Sequence, residues 1–328
     1  MNNYPNVVVI GGGTGSFTVL SGLKKYPLNI SAIISMMDSG GSTGRLRDQL
    51  GVLPPGDIRQ ALVALSDSSD IWRKLFTYRY DNGDLKGHNF GNIFLSTIEK
   101  ITGSNKQALV EIANILNVNG KVIPVTFDNC SLCAKYQDGS IICGESSIDE
   151  SLTSRPKIKK LYLKPQAKIN SDALLAIKNA DFIVLGPGDL YTSIFPNLIV
   201  KDFSTAISNC KAIIIYISNL MTKLGQTDGF TLKYHVKEVE KYLGTSNLDY
   251  VLVNTKKPED KILKWYKKYG NVVFVEDDLK QKTSFKIIRQ DLLSDKVYSK
   301  DKNDYLKRSL IRHDSNKICK ELVNIFNT

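Results

Sequence analysis

A chain of 328 residues with 42% hydrophobic side chains is long enough for one large or two ordinary domains and can bury a substantial core. No run approaches the roughly 18 apolar residues of a membrane span. The formal charge of +11 comes mostly from scattered lysines such as Lys256-Lys257 and Lys267-Lys268, which read as a solvated face, so no nucleic-acid partner is expected.

The opening, MNNYPNVVVIGGG, enters a strand without a basic and apolar leader, so a soluble cytoplasmic protein is expected. Asn6–Ile10 is an unbroken β-branched run, the pattern of a parallel strand buried on both faces. Gly11-Gly12-Gly13-Thr14-Gly15-Ser16 follows, and then an apolar periodic stretch. Strand, glycine turn and helix N-terminus make the usual phosphate site of a doubly wound fold. The dinucleotide fingerprint is only partly met, because Gly11 and Gly13 fit while Ser16 takes the third position.

The second strand, Ile30–Met36, leads into Asp38-Ser39-Gly40-Gly41-Ser42-Thr43-Gly44, then Arg45 and Arg47. Glycines admit an anion close to backbone N–H groups, and hydroxyl and guanidinium groups complete a phosphate cradle. Pro54-Pro55-Gly56-Asp57 closes this stretch, with Asp57 placed to cap the helix IRQALVALS. Next come an aromatic segment, Trp72–Tyr80, and Gly87-His88-Asn89-Phe90-Gly91-Asn92 opening a helix. His88, set between glycines at a helix start, is a candidate catalytic group with Asp38 and Asp57.

Ser104–Leu116 reads as a helix and Val118–Thr126 as a strand; from Phe127 to Leu163 the pattern alternates as antiparallel hairpins. Cys130 and Cys133 form a C-x-x-C with Cys143 behind it, but zinc needs a fourth ligand. These cysteines read as small buried apolar residues, and the total of five argues against a disulfide framework. Ser151–Lys160 reads as an exposed link.

The core pattern resumes with a helix at Asp172–Asn179 and a strand, Asp181–Leu185, ending in Gly186-Pro187-Gly188-Asp189. A further strand, Ala212–Ile217, ends in Ser218-Asn219. Tyr250–Asn254 and Val272–Val275 are read as two more strands, and the chain from Gln290 as helical and basic. Four strands therefore end in glycine-rich or small polar turns, and in an open parallel sheet such ends share the edge where ligands bind. The fold class is α/β, a Rossmann-like, doubly wound, mostly parallel sheet. Residues 1–75 and 172–289 form the core, 76–171 an inserted helical and β-hairpin subdomain, and 290–328 a C-terminal helical segment.

The motifs GGGTGS, DSGGSTGRLR, LPPGDIR, GHNFGN, GPGDLYTSIFPNL, NLMTKLGQTDGF and RHD resemble, nearly end to end, the bacterial gluconeogenesis-factor (YvcK-like) family. That family shares a superfamily with 2-phospho-L-lactate transferase (CofD). The resemblance implies a Rossmann-like core and a cytoplasmic regulator that binds UDP-N-acetylglucosamine. It also implies protein partners in cell-wall regulation, and a need for the protein in cell shape and gluconeogenic growth. It further places Tyr266 and Arg312 in the sugar-nucleotide site. The ligand set expected is Gly12, Gly13, Thr14, Gly15, Asp38, Ser39, Gly40, Gly41, Ser42, Arg45, Asp57, Asn92, Gly186, Gly188, Asn219, Tyr266 and Arg312. A homodimer is expected. One alternative is a transferase acting on a deazaflavin acceptor; another, disfavoured by Ser16 in place of the third glycine, is a nicotinamide-dependent oxidoreductase. The transferase branch carries paired aspartates where this chain has Asp38-Ser39, so turnover is in doubt and Mg2+, if bound, would sit at Asp38.

Overall fold

Val7 to Ile10 are fully buried in the computed structural model, as an all-apolar central strand requires. The structure describes residues 4–151, 153–244, 248–268, 272–280, 282–297 and 309–328. The chain runs β1 (Asn6–Gly11), α1 (Gly13–Leu23), β2 (Asn29–Ile34), α2 (Gly41–Leu50) and α3 (Pro55–Leu65). Then come α4 (Asp70–Thr77), α5 (Phe90–Thr102), α6 (Asn105–Ile115), β3 (Lys121–Pro124), β4 (Ser131–Tyr136) and β5 (Ile141–Cys143). These are followed by α7 (Glu145–Asp149), β6 (Ile158–Lys164), α8 (Ser171–Lys178) and β7 (Phe182–Leu185). A π-helical turn (Leu190–Ile194) leads to α9 (Phe195–Leu198), α10 (Phe203–Ser208), β8 (Ile213–Ile217) and α11 (Leu232–Leu243). β9 (Tyr250–Asn254), α12 (Asp260–Lys268), β10 (Lys286–Gln290) and α13 (Ser315–Phe326) complete the chain.

Seven parallel strands stand in the order β10-β9-β8-β7-β1-β2-β3. The order reverses between β1 and β7, so their carboxyl ends flank the switch-point crevice where open α/β sheets bind ligands. A second sheet, β5-β4-β6, is antiparallel. The α/β Rossmann-like class is thus observed, with the expected hairpins as a small separate sheet. Among the described residues no helix is long and apolar enough to cross a membrane.

Several expectations need correction. Val272–Val275 is no sheet strand; Phe274 makes a single bridge to Met221, and the last strand is Lys286–Gln290. Alternation KIIRQ is weakly apolar, as suits an edge strand half open to solvent. Residues 291–297 and 309–314 are not helical; only α13 is, and the stretch 298–308 read as helical lies outside the described residues. Ile158–Lys160 belongs to β6 rather than to an exposed link. Asp57 does not cap α3, which starts two residues earlier at Pro55; proline suits that first helical position because it has no N–H to lose.

The cysteines depart most. Cys133 and Cys143 stand directly opposite each other in the β4–β5 pair and are joined in a disulfide. Counting cysteines could not find it, because a cross-strand pair depends on register rather than spacing. Cys130, Cys210 and Cys319 remain free thiols.

Candidate functional site

The glycine turn after β1 supplies the first wall. Gly12 is the N-cap of α1 and has no side chain to cap it, so the first N–H groups point into the crevice. Gly13 sits at φ +64, where an L side chain is strained. A Cβ on Gly15 would run into the carbonyl oxygen of Pro187, so the two loops flanking the switch point close on each other. Asn219 braces this contact: its Nδ2 donates to the Gly188 carbonyl at 2.8 Å and its Oδ1 accepts from the Tyr216 hydroxyl at 3.1 Å.

The second wall is the N-terminus of α2, again led by glycine, with Gly40 as N-cap and Gly41 at φ +49. Asp38 accepts from the Gly40 N–H at 2.9 Å and lies where a Cβ on Gly56 would stand. Asp57 fills the corresponding space beside Gly12. Each carboxylate thus occupies room that a missing side chain leaves, which draws the α1, α2 and α3 starts together.

Sequence reasoning missed the third wall, which comes from α7, between β5 and β6 of the antiparallel sheet. α7 begins just after Cys143, and its Ser146 N–H donates to Ser39 Oγ at 3.1 Å, with the two hydroxyls also 3.1 Å apart. Burial, then the charges of Asp38, Asp149 and Asp57, push the Glu145 carboxyl well above the usual range. Lys223 bridges Asp149 at 2.9 Å and Asp189 at 3.0 Å. Burial works against its charge, but the two carboxylates outweigh it and hold the proton on. The only sequence signal was the G-E pair closing a hairpin, which is too common to single out. Among the described residues no group of three or more His, Cys, Asp or Glu is arranged to hold a metal ion.

Other expected residues lie behind the crevice lining. His88 places Nδ1 3.2 Å from Ser42 Oγ, and the Asn89 N–H donates to the same oxygen at 3.3 Å. Burial first, then Arg45 and Arg79, hold the His88 imidazole below its ordinary range. Asn92 donates to Thr43 Oγ1 at 3.4 Å and accepts from Arg59 Nε at 2.8 Å; both Asn92 and Arg59 are buried. These groups support the α2 loop from underneath. Arg45 is exposed on α2, with Nη2 3.4 Å from the Lys86 carbonyl.

Tyr266 is 8% exposed and packs with Leu220, Leu293 and Ile311. Its hydroxyl accepts from the Leu310 N–H at 2.8 Å and lies 2.7 Å from Ser309 Oγ. It therefore ties α12 to the segment preceding α13, and little ring face is open for stacking. Arg312 is half-buried in that segment, whose backbone pairs with residues 292–294.

A family model described as 2-phospho-L-lactate transferase CofD matches residues 7–293. A gluconeogenesis factor of Bacillus subtilis is 37% identical over 327 residues, covering 99% of this chain and 99% of its own. A putative gluconeogenesis factor of Thermoanaerobacterium thermosulfurigenes is 41% identical over 327 residues, 98% of this chain and 97% of that one. The crystal structure of a UPF0052 family member from Bacillus halodurans matches with a TM-score of 0.89 and 37% identity, covering 98% of this chain and 100% of that one. With the family model spanning most of the sequence and relatives aligned nearly end to end, the chain belongs to the CofD family, in the group that holds the bacterial gluconeogenesis factors.

Proposed function

We propose that this chain is a cytoplasmic regulator that binds UDP-N-acetylglucosamine at the switch-point crevice. Its bound state would be read by protein partners in cell-wall synthesis, supporting cell shape and growth under gluconeogenic conditions. The observation that carries the reading is the meeting of two uncapped, glycine-led helix N-termini, those of α1 and α2, at one sheet edge. Such a pair suits a diphosphate, one phosphate group per helix end. The names of the relatives support the gluconeogenic part of this reading. A homodimer is part of this reading, and sedimentation of the purified chain would check it.

The second reading is a transferase of phosphorus-containing groups. Its support is the family model's description and the grouping of Asp38, Asp57 and Glu145 around the same loops. Calorimetric titration of the full chain with UDP-N-acetylglucosamine, GDP and NADP, each with and without Mg2+, separates the two. Metal-independent binding of the UDP-sugar with no turnover is the expected result. A preference for GDP that appears only with Mg2+ would favour the transferase.

A further inference from the structure

The third wall of the crevice hangs from a disulfide. β5 is an edge strand of three residues, and its register with β4 covers only Cys133–Cys143, Ala134–Ile142 and Lys135–Ile141. The Cys133–Cys143 bond is the one covalent tie in that short pairing. Cys133 is fully buried, whereas Cys143 is exposed, so thiols in solution approach the bond from the Cys143 side.

α7 starts one residue further on. Gly144 takes φ +100, a conformation that favours glycine, and its N–H donates to the Leu132 carbonyl at 2.8 Å. α7 has five residues, too few for a helix to hold itself together in water. Its two ends are fixed differently. At the far end Asp149 accepts from Thr192 Oγ1 at 3.1 Å and Gln226 Nε2 at 3.2 Å, in addition to its ion pair with Lys223. The near end, which meets the α2 loop, rests on the Ser146–Ser39 contacts and on the hairpin that the disulfide closes.

The nucleotide-sugar reading places the chain in the reducing cytoplasm, where disulfides are rare and usually transient, serving catalysis or redox sensing. Resting on that reading, we propose that Cys133–Cys143 is a thiol–disulfide switch on the crevice. Oxidised, it fixes the start of α7 against the α2 loop; reduced, it releases that end and weakens ligand binding. The reaction is exchange with glutathione. One glutathione thiolate attacks the Cys143 sulfur, and Cys133 leaves as a thiolate that takes up a proton. A second attacks the glutathione sulfur of the mixed disulfide and frees Cys143, which is protonated in turn. Two electrons reduce the bond to two thiols, and two reduced glutathiones become one oxidised glutathione. The neighbouring Cys130 thiol is buried and pushed up to about 11, so it is a poor exchange partner.

The test equilibrates the full chain in glutathione buffers running from mostly reduced to mostly oxidised, quenches in acid and counts thiols after denaturation. Five thiols are expected at the reduced end and three at the oxidised end. A count fixed at five overturns the inference because no bond forms, and a count fixed at three overturns it because the bond is purely structural. Amide exchange then compares the two states. The Ser146 N–H, which donates to Ser39, is expected to exchange at least tenfold faster in the reduced chain, with β1 unchanged. Calorimetry with UDP-N-acetylglucosamine is expected to show at least tenfold weaker binding by the reduced chain. Cys133→Ala/Cys143→Ala should bind as the reduced parent does and ignore glutathione; the comparison within the parent stands even where this variant fails to fold. Equal exchange or equal affinity in the two states overturns the switch. So does loss of β1 protection together with that of α7, since the bond would then support the whole fold. If neither state binds the UDP-sugar, the nucleotide-sugar reading fails, and the thiol count with amide exchange decides the switch by itself.

Discussion

The two sides of the crevice are built by different means. Around β1 and β2 the walls are backbone: glycine N-caps, positive φ at Gly13 and Gly41, and carboxylates fitted into the spaces beside Gly12 and Gly56. Around β8 the wall is made by side chains reaching across long sequence separations, such as Tyr266 to Leu310 and Thr222 to Val273. The first kind is set by close approach and tolerates almost no added atom. The second depends on individual hydrogen bonds, so its residues can be altered singly without collapsing the sheet.

The largest effect should come from breaking the backbone side. Gly15→Val sets a branched side chain against the Pro187 carbonyl, which is backbone and cannot swing away. A loss of at least about 3 kcal/mol is expected, at the upper end of overpacking costs, and urea unfolding would measure it. Parent-like stability would mean that the two flanking loops do not close as described.

On the side-chain wall, His313 should make stability depend on pH. Its folded value of about 4 lies below the unfolded value of about 6.5, so the unfolded chain takes up the proton first. This contribution is full above about pH 6.5 and is lost as pH falls towards 4, by about 3 kcal/mol. Subtracting the unfolding free energies of His313→Asn from those of the parent across that range isolates it from the other titrating groups. A pH-independent difference would show that the imidazole is not held neutral by burial.

Tyr266→Phe sharpens the comparison further. Loss of the hydroxyl leaves the Leu310 N–H without this acceptor, for an expected cost of about 1–3 kcal/mol. If Tyr266 acts as an anchor, UDP-sugar affinity falls with it; if its ring face stacks on uracil, the phenylalanine variant binds as the parent does. Titration alongside thermal melting distinguishes the two roles.

Arg45→Ala should be the mildest change to stability, within about 0.5 kcal/mol, because the side chain is exposed and its contact to Lys86 is long. Its expected effect is on the ligand: a charged hydrogen bond to phosphate is worth about 1.5–3 kcal/mol, or roughly tenfold or more in affinity. Unchanged affinity would leave the phosphates to the helix ends alone.

The sequence by itself determined the parallel core, the glycine turns and the shared edge on which they open. Each rests on local rules: β-branched runs bury on both faces, and glycine marks a turn or a close approach. Residues within such stretches, from Gly12 to Gly15 and from Asp38 to Ser42, could be singled out because their neighbours in the chain are also their neighbours in space. Tertiary structure alone decided what meets across the fold. The Cys133–Cys143 bond depends on strand register, Glu145 reaches the site only because the hairpin sheet folds back, and Lys223 gains its carboxylate partners from the end of α7 and the turn after β7. The same holds for His88 and Tyr266, whose residue types invited a direct role. Their partners, Ser42 at 46 residues and Leu310 at 44 residues along the chain, come from distant parts of the sequence. Contacts at such separations leave no periodic trace in composition or spacing, because each is a single pair made only when the whole sheet has assembled.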